Sequence, residues 1–436
     1  MHQENISIKN LSKIEGHLDM DLTIEDNKVK NVQFKILENK RFFEKAILGK
    51  PFMAVPQLLS RICGTCSVAH EMAAIEAVEN ALGYQPSDQT ILLRKLMMYG
   101  LMIRDHALHL YIFSLPDILN KDSILELDEN NELEHQLLHD MFDVKRAGNN
   151  LSTIIGGRAV HAPFVAIGGF LKYPTDEDIQ KSREELLKIR EKIFLLMKVF
   201  HECNFSLKRE TKFVALKTTD YSFLEGDVLC SEGGFCVPEK YFREQLKEVV
   251  IPYSTAKAYQ IMGQEYMVGA LSRMNINREA LHPNTRRDAE LYISHFPSID
   301  IYKNNLAQAI EILHSIDHAV EILENLIISN DPVDTIPPKE GDGVGVIEAP
   351  RGTLYHYVAL DNKGLVTNAE IVVPTAQNQI NIENDIRQLV QERLDNEGES
   401  MDKDKVRLDI EKLIRAYDPC MSCATHFLEI NWKKTC

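Results

Sequence analysis

A mostly helical α+β fold, built as a single body around a buried long-helix core, is predicted by three features of the sequence. From about 53 to 115 apolar residues recur at three- and four-residue steps, and ILLRKLMMYGLMIRDHALHLYIFSLPD is apolar nearly all round, as a buried helix is. The segment HLDMDLTIEDNKVKNVQFKI alternates apolar and polar residues around Glu25-Asp26-Asn27, which predicts a small N-terminal β-hairpin. Near 340–375, GDGVGVIEAPRGTLYHYVALDNKGLVTNAEIVVP has β-branched strands punctuated by glycines and an Asp-Asn-Lys-Gly turn.

The elements follow in order. The first helix of the core stops at Gly83 and the second at Pro116. Residues 120–150 are charged and weakly patterned, so no element is assigned there. A long amphipathic helix rich in Lys and Glu is expected over 176–209, and another over 303–329. Between them, 210–238 holds turn residues and two lone cysteines and reads as a surface insertion. Two further helices, about 379–396 and 402–416, lead to the C-terminus. With no internal repeat, low-complexity tract or linker, one domain over residues 1–426 is favoured, although the length alone suggests about three domain-sized units.

Composition narrows the function. The 436 residues are 44% hydrophobic and 26% charged, which excludes disordered, collagenous and disulfide-stapled chains. A net charge of −16 repels phosphate backbones and no long basic run offsets it, so no nucleic-acid partner is expected. The apolar runs FVAIGGFL and IFLLMKVF fall well short of the ~20 residues of a membrane span. The opening MHQENISIKN lacks the charged start and apolar core of a secretory signal. A soluble, cytoplasmic protein is expected.

Of eight cysteines, four form two C-x-x-C pairs, Cys63/Cys66 and Cys420/Cys423, 357 positions apart. Each pair can aim both sulfurs at one point, and together they supply four thiolates to one soft-metal site. A structural four-cysteine zinc site is the ordinary reading of paired C-x-x-C. Three features favour a functional centre instead: the great separation of the pairs, their apolar helical flanks, and a histidine after each, His70 and His426. A thioredoxin-like role needs one pair rather than two. Cys203, Cys230, Cys236 and Cys436 are read as ordinary thiols.

With their flanks, the pairs resemble the large subunit of nickel-iron hydrogenases. Arg61-Ile-Cys63-Gly-Thr-Cys66-Ser-Val-Ala-His70 is similar to the family's R-x-C-G-x-C-x-x-x-H, and Asp418-Pro-Cys420-Met-Ser-Cys423-Ala-Thr-His426 to its D-P-C-x-x-C-x-x-H. Between them, in order, Ser12-Lys-Ile-Glu15-Gly-His17 resembles R-I-E-G-H with Lys13 in place of Arg, and Arg41-Phe-Phe-Glu44 resembles R-x-x-E. Glu348-Ala-Pro350-Arg351-Gly352 matches E-A-P-R-G, and Val372-Val-Pro-Thr375 matches V-V-P-[ST]. The resemblance implies that all four thiolates bind nickel, with Cys66 and Cys423 bridging to an iron that carries carbon monoxide and cyanide. It implies that Cys420 takes the proton when dihydrogen is split, and that Glu15 carries it onward. Arg351 is implied above the open metal position, in a polar cap with Asp117 and Asp418, as an orienting or polarising group, with a base role left open. Pro350 and Thr375 are implied beside the iron's diatomic ligands. Glu44, His426 and the carbonyl of Ile371 are implied ligands of a magnesium ion, or second iron, near the C-terminus. His70 is expected as a donor to a sulfur or a satisfied core histidine.

The residues Phe427–Cys436 resemble the tail that a maturation protease removes from such chains after nickel insertion. The short chain resembles soluble enzymes that couple to NAD(P) or a deazaflavin. No G-x-G-x-x-G follows a strand and no cysteines remain with cluster spacing. Electrons are therefore expected to leave through an iron–sulfur small subunit, then through a diaphorase or other electron-transfer partner. The rivals are a component of a membrane-bound energy-converting complex, a regulatory dihydrogen sensor and a zinc scaffold.

Overall fold

Alternation at the N-terminus produces the expected hairpin and one strand more. A computed structural model of the chain describes residues 3–38, 42–226, 228–231, 235–329 and 332–425. Strands β1 (Gln3–Ile8), β2 (Leu18–Glu25) and β3 (Lys28–Ile36) form an antiparallel meander. Every second residue of β2 is buried, and Asp26 and Asn27 turn the chain at φ +49° and +59°, where short polar residues are tolerated.

The helical core follows. Helix α1 (Ser67–Leu82) ends at Gly83, which takes φ +66° to close the last turn. Helix α2 (Asp88–Ala107) starts at Ser87, whose hydroxyl accepts the Thr90 N–H, and is buried on all sides from Leu93 onward. Pro116 does not end it. The chain passes through π-type turns at Leu108–Ser114, and Pro116 opens the next single turn, where its missing N–H costs nothing.

The unassigned charged stretch is helix α3 (Glu132–Gly156), capped by the Asn131 side chain. Its apolar stripe (Leu137, Met141, Val144, Leu151 and Ile155) is diluted by charges on the outer face, which hid the period. Gly148 lets α3 touch α2: a Cβ there would lie 2.9 Å from the Gly100 carbonyl oxygen and 2.8 Å from the Arg104 nitrogen.

The expected 176–209 helix is two, α4 (Asp176–Arg190) and α5 (Lys192–His201), and ends early. The apolar repeat stops at Phe200, and the chain is then held by the Asp300 carboxylate, which accepts the Leu207 N–H and the Ser206 hydroxyl. The supposed surface insertion is not on the surface throughout. Strand β4 (Lys212–Lys217) buries Phe213 to Leu216 completely, and Tyr221 and Phe223 are buried after it. A short strand buried on both faces has no alternation to read. The hairpin of β5 (Val228–Ser231) and β6 (Phe235–Pro238) does leave Cys236 exposed.

Strands β7 (Leu246–Val250) and β8 (Lys257–Ile261) pair, then helices α6 (Ala270–Asn277) and α7 (Lys303–Asn325) complete the core. Strands β9 (Gly341–Ala349), β10 (Gly352–Leu360) and β11 (Val366–Val372) form an antiparallel sheet. The glycines at 341–345 lie inside β9 rather than in a turn. Helix α1 lies directly on them, so a Cβ on Gly345 would sit 2.1 Å from the Ala73 carbonyl oxygen. Helices α8 (Pro374–Glu397) and α9 (Lys403–Ala416) return the chain to the centre.

One buried ion network ties α2, α6, α7 and β9 together. The Arg273 guanidinium donates to both oxygens of Glu311, each at 2.7 Å, to Glu348 at 3.0 Å and to the Ala349 and Pro350 carbonyls. Glu311 also meets His106 and the Tyr221 hydroxyl, each at 2.8 Å. Burial by itself raises the Glu311 carboxyl, but Arg273 and then His106 bring it down to about 2. Arg273→Met is expected to cost about 3–5 kcal/mol in denaturant unfolding, because two carboxylates stay buried without their cation. The ordinary carboxyl value of 4.5 lies above the folded one, so this contribution is complete above about pH 4.5 and fades toward 2. The gap between wild type and variant should narrow over that acid range; a gap that does not change with pH contradicts the assignment.

Candidate metal centre

Three stretches far apart in sequence build the centre. Cys63 is extended after the turn Ser60–Ile62, and Cys66 stands immediately before α1. Cys420 precedes the single helical turn Met421–Ala424, which contains Cys423. The N-terminal segment closes the ring: Glu15 pairs with Cys420 as a β-bridge, and its carbonyl accepts the Met421 N–H at 2.9 Å.

The four sulfurs are all buried and lie within 4.8 Å of one another, the one such grouping of candidate metal ligands among the described residues. Sγ–Sγ separations are 3.4 Å for Cys63–Cys420, 3.1 Å for Cys66–Cys423 and 2.9 Å for Cys420–Cys423. These exceed the ~2.05 Å of a disulfide, so the thiols crowd around a shared point without being bonded. Burial, with hydrogen bonding among the thiols, pushes Cys420 and Cys423 well above the usual 9.0. Hydrogen bonds from Cys420 and its neighbours favour the Cys63 thiolate instead. Four buried sulfurs converging on one point fit a soft dication, which would stabilise all four as thiolates.

Around the sulfurs lies a polar shell. Glu15 Oε2 is 3.1 Å from Cys420 Sγ, and Ser422 fixes that carboxylate through its N–H at 3.0 Å and its hydroxyl at 2.5 Å. The Thr375 hydroxyl accepts the Cys420 N–H at 2.9 Å. Arg351 is buried and donates to Asp105 at 2.5 Å and Asp418 at 3.0 Å. Desolvation favours its neutral form, but the two carboxylates outweigh it and hold the guanidinium well above its ordinary value, so Arg351 stays charged. Asp418 takes the left-handed φ of +51° and is held by Gln308 at 3.0 Å. Pro350 is anchored through its carbonyl by Arg273 at 3.0 Å.

Asp117 is not in this cap, where it was expected. Its carboxylate binds Lys13 at 2.6 Å and Arg415 at 2.7 and 2.8 Å, and Asp105 takes the place beside Arg351. Asp117 meets Lys13 of the N-terminal segment, whereas Asp105, on the last turn of α2, meets Arg351. Asp105 and Arg104, which donates to the Thr65 carbonyl at 3.1 Å, were not singled out from sequence. The available cue was Arg-Asp-His at 104–106, three ionisable residues in a helix apolar all round. His70 meets His356 at 3.1 Å, and burial with the His70 charge keeps His356 neutral. Glu44 is half-buried and accepts the Ile371 N–H at 2.8 Å. Arg41, His426 and the tail Phe427–Cys436 lie outside the described residues.

The chain is similar to known proteins. A family model described as nickel-dependent hydrogenase matches residues 41–141 and 238–426. The chain is 31% identical to the alpha subunit of sulfhydrogenase 1 from Pyrococcus furiosus, covering 98% of each. It is 30% identical to a subunit of the F420-non-reducing hydrogenase of Methanothermobacter marburgensis, covering 97% of this chain and 95% of that one. Its fold matches a crystal structure of an NAD+-reducing [NiFe]-hydrogenase with a TM-score of 0.85 and 24% identity, over 97% of this chain and 99% of the other. The chain belongs to the nickel-dependent hydrogenase family. Within it, it is a hydrogenase large subunit with a four-cysteine metal site.

Two outcomes test the site. Cys423→Ser is expected to lose most of its nickel by elemental analysis while far-UV circular dichroism stays close to wild type; full nickel retention contradicts the ligand set. Asp105→Asn is expected to keep nickel but lower hydrogen uptake about 10²-fold, since Arg351 loses one of its two anchors. An unchanged rate would remove Asp105 from the cap.

Proposed function

We propose that this large subunit catalyses reversible heterolytic cleavage of dihydrogen at a nickel–iron centre held by Cys63, Cys66, Cys420 and Cys423. The observation that carries the reading is the Glu15 carboxylate 3.1 Å from a sulfur of the four-thiolate cluster. Dihydrogen is a very weak acid, and the bound metals supply the Lewis acidity that polarises it. The protein supplies the base. Cys420 Sγ accepts the proton, and Glu15, oriented by two donors from Ser422, takes it toward the surface. Cys66 and Cys423 would hold the iron as well as the nickel.

Arg351 orients and polarises from above, as a permanently charged group between Asp105 and Asp418. Thr375 accepts the Cys420 N–H, so its own proton would donate to a cyanide carried by the iron, and Pro350 would line the iron's diatomic ligands. Glu44, the Ile371 carbonyl and His426 would be the ligands of a hard ion, magnesium or a second iron. Removal of Phe427–Cys436 by a maturation protease, after nickel-insertion proteins have acted, frees a carboxylate at His426. Electrons leave through an iron–sulfur small subunit, then onward through a diaphorase or other transfer partner. A cytoplasmic location is proposed on the likeness to NAD-reducing hydrogenases, whose nucleotide is an intracellular carrier; among the described residues no helix is long and apolar enough to cross a membrane.

Infrared spectroscopy with metal analysis on the complex purified with its partners tests the centre: carbon monoxide and cyanide stretches with about one nickel per chain support it. Zinc alone, in a chain cut after His426, refutes it. Glu15→Gln separates the proton step from metal binding. Nickel and the infrared bands should persist while exchange of dihydrogen against D2O falls at least ~10²-fold. Wild-type exchange in this variant would take Glu15 out of the proton path.

A further inference from the structure

Away from the cysteines, α3 carries two neighbouring histidines on its outer face. His135 and His139 stand four residues apart, which places them one above the other on one helix face. Both are exposed, and their ring centroids are 4.4 Å apart with planes at 54°. Histidines that serve the fold are otherwise engaged: His106 bonds Glu311, His109 bonds Gln308, and His314 bonds the Tyr221 carbonyl. Among the described residues, His135 and His139 contact each other's rings and take part in no such pairing.

We propose that His135 and His139 form a surface chelating site for a divalent first-row transition ion, separate from the buried thiolate centre. The spacing is the one by which two histidines on a helix jointly hold zinc. Imidazole nitrogens select zinc, nickel or copper over magnesium and calcium, and water completes the coordination sphere. The flanks agree with an approaching cation. Glu132 lies one turn before His135, and the chain as a whole carries a net charge of −16. Asp143, one turn beyond His139, is already engaged by Lys192 at 2.9 Å and by Arg146, so the two imidazoles are the primary ligands. The two sites differ in kind. The thiolates close around a metal inside the fold, whereas the imidazoles face solvent and hold an ion that exchanges freely. Metal counts on this protein should therefore exceed those of the buried sites when divalent ions are plentiful.

Competition for Zn2+ against a chromophoric chelator, on the purified hydrogenase complex with its thiolate centre filled, tests the site. Wild type should take up one exchangeable zinc per chain. His135→Gln and His139→Gln should each weaken uptake about tenfold or more, and the double variant should abolish it. His201 and His295 form another close ring pair, with centroids 4.7 Å apart, so His295→Gln serves as the control and should leave uptake unchanged. Hydrogen uptake without added zinc, measured in all four variants, should match wild type and reports that they are folded. Loss of zinc in His295→Gln instead, equal uptake by wild type and the double variant, or no exchangeable zinc in wild type would each overturn the proposal.

Discussion

Everything in this structure depends on holding four thiols within bonding distance of one point inside an apolar interior. Thiols so placed resist ionisation, and each additional thiolate would be repelled by the first. A soft cation removes both penalties at once, so metal affinity and the stability of this region are one quantity. The ligands come from opposite ends of the chain, 357 residues apart. Loop-closure entropy grows only with the logarithm of that separation, so the distance costs little more than a shorter loop would. What it requires is a body rigid enough to present both pairs, and the α1–β9 and α2–α3 backbone contacts provide it through glycines.

Two buried ion groups sit next to each other along the segment Glu348–Arg351. Glu348 joins the Arg273–Glu311 network, and Arg351 joins Asp105 and Asp418. Desolvating so many charges gains little stability over a packed apolar core. Their value is positional. Arg273 grips the carbonyls of Ala349 and Pro350, which fixes the chain immediately before Arg351 and so positions its guanidinium between Asp105 and Asp418. Loss of any member therefore affects both fold and site.

The same economy appears on the N-terminal side. Lys13, which replaces the arginine usual in the family motif, still reaches a carboxylate, that of Asp117. Arg415 grips the same carboxylate from α9, so the turn bearing Glu15 and the approach to Cys420 are clamped through one side chain. Asp117 is thus a brace for the segments that carry Glu15 and Cys420, and Asp105 takes the place beside Arg351.

The residues by themselves determined the chemistry and the class of the fold. The two C-x-x-C pairs were legible because each is a short local motif, whereas Glu15, Arg351, Asp418 and Thr375 were picked out only by the resemblance of their motifs to a known family's. The β2–β3 hairpin and the long helices were legible because burial on one side or all round leaves a period. What the sequence concealed was decided by packing between distant segments. Helix α3 was hidden by its charged outer face, and β4 by being buried on both sides. The glycines of β9 resembled turns because only the approach of α1 reveals their purpose. Asp105 rather than Asp117 faces Arg351 for the same reason: both are carboxylates on one helical run, and only the three-dimensional path of that run decides which side chain meets the guanidinium.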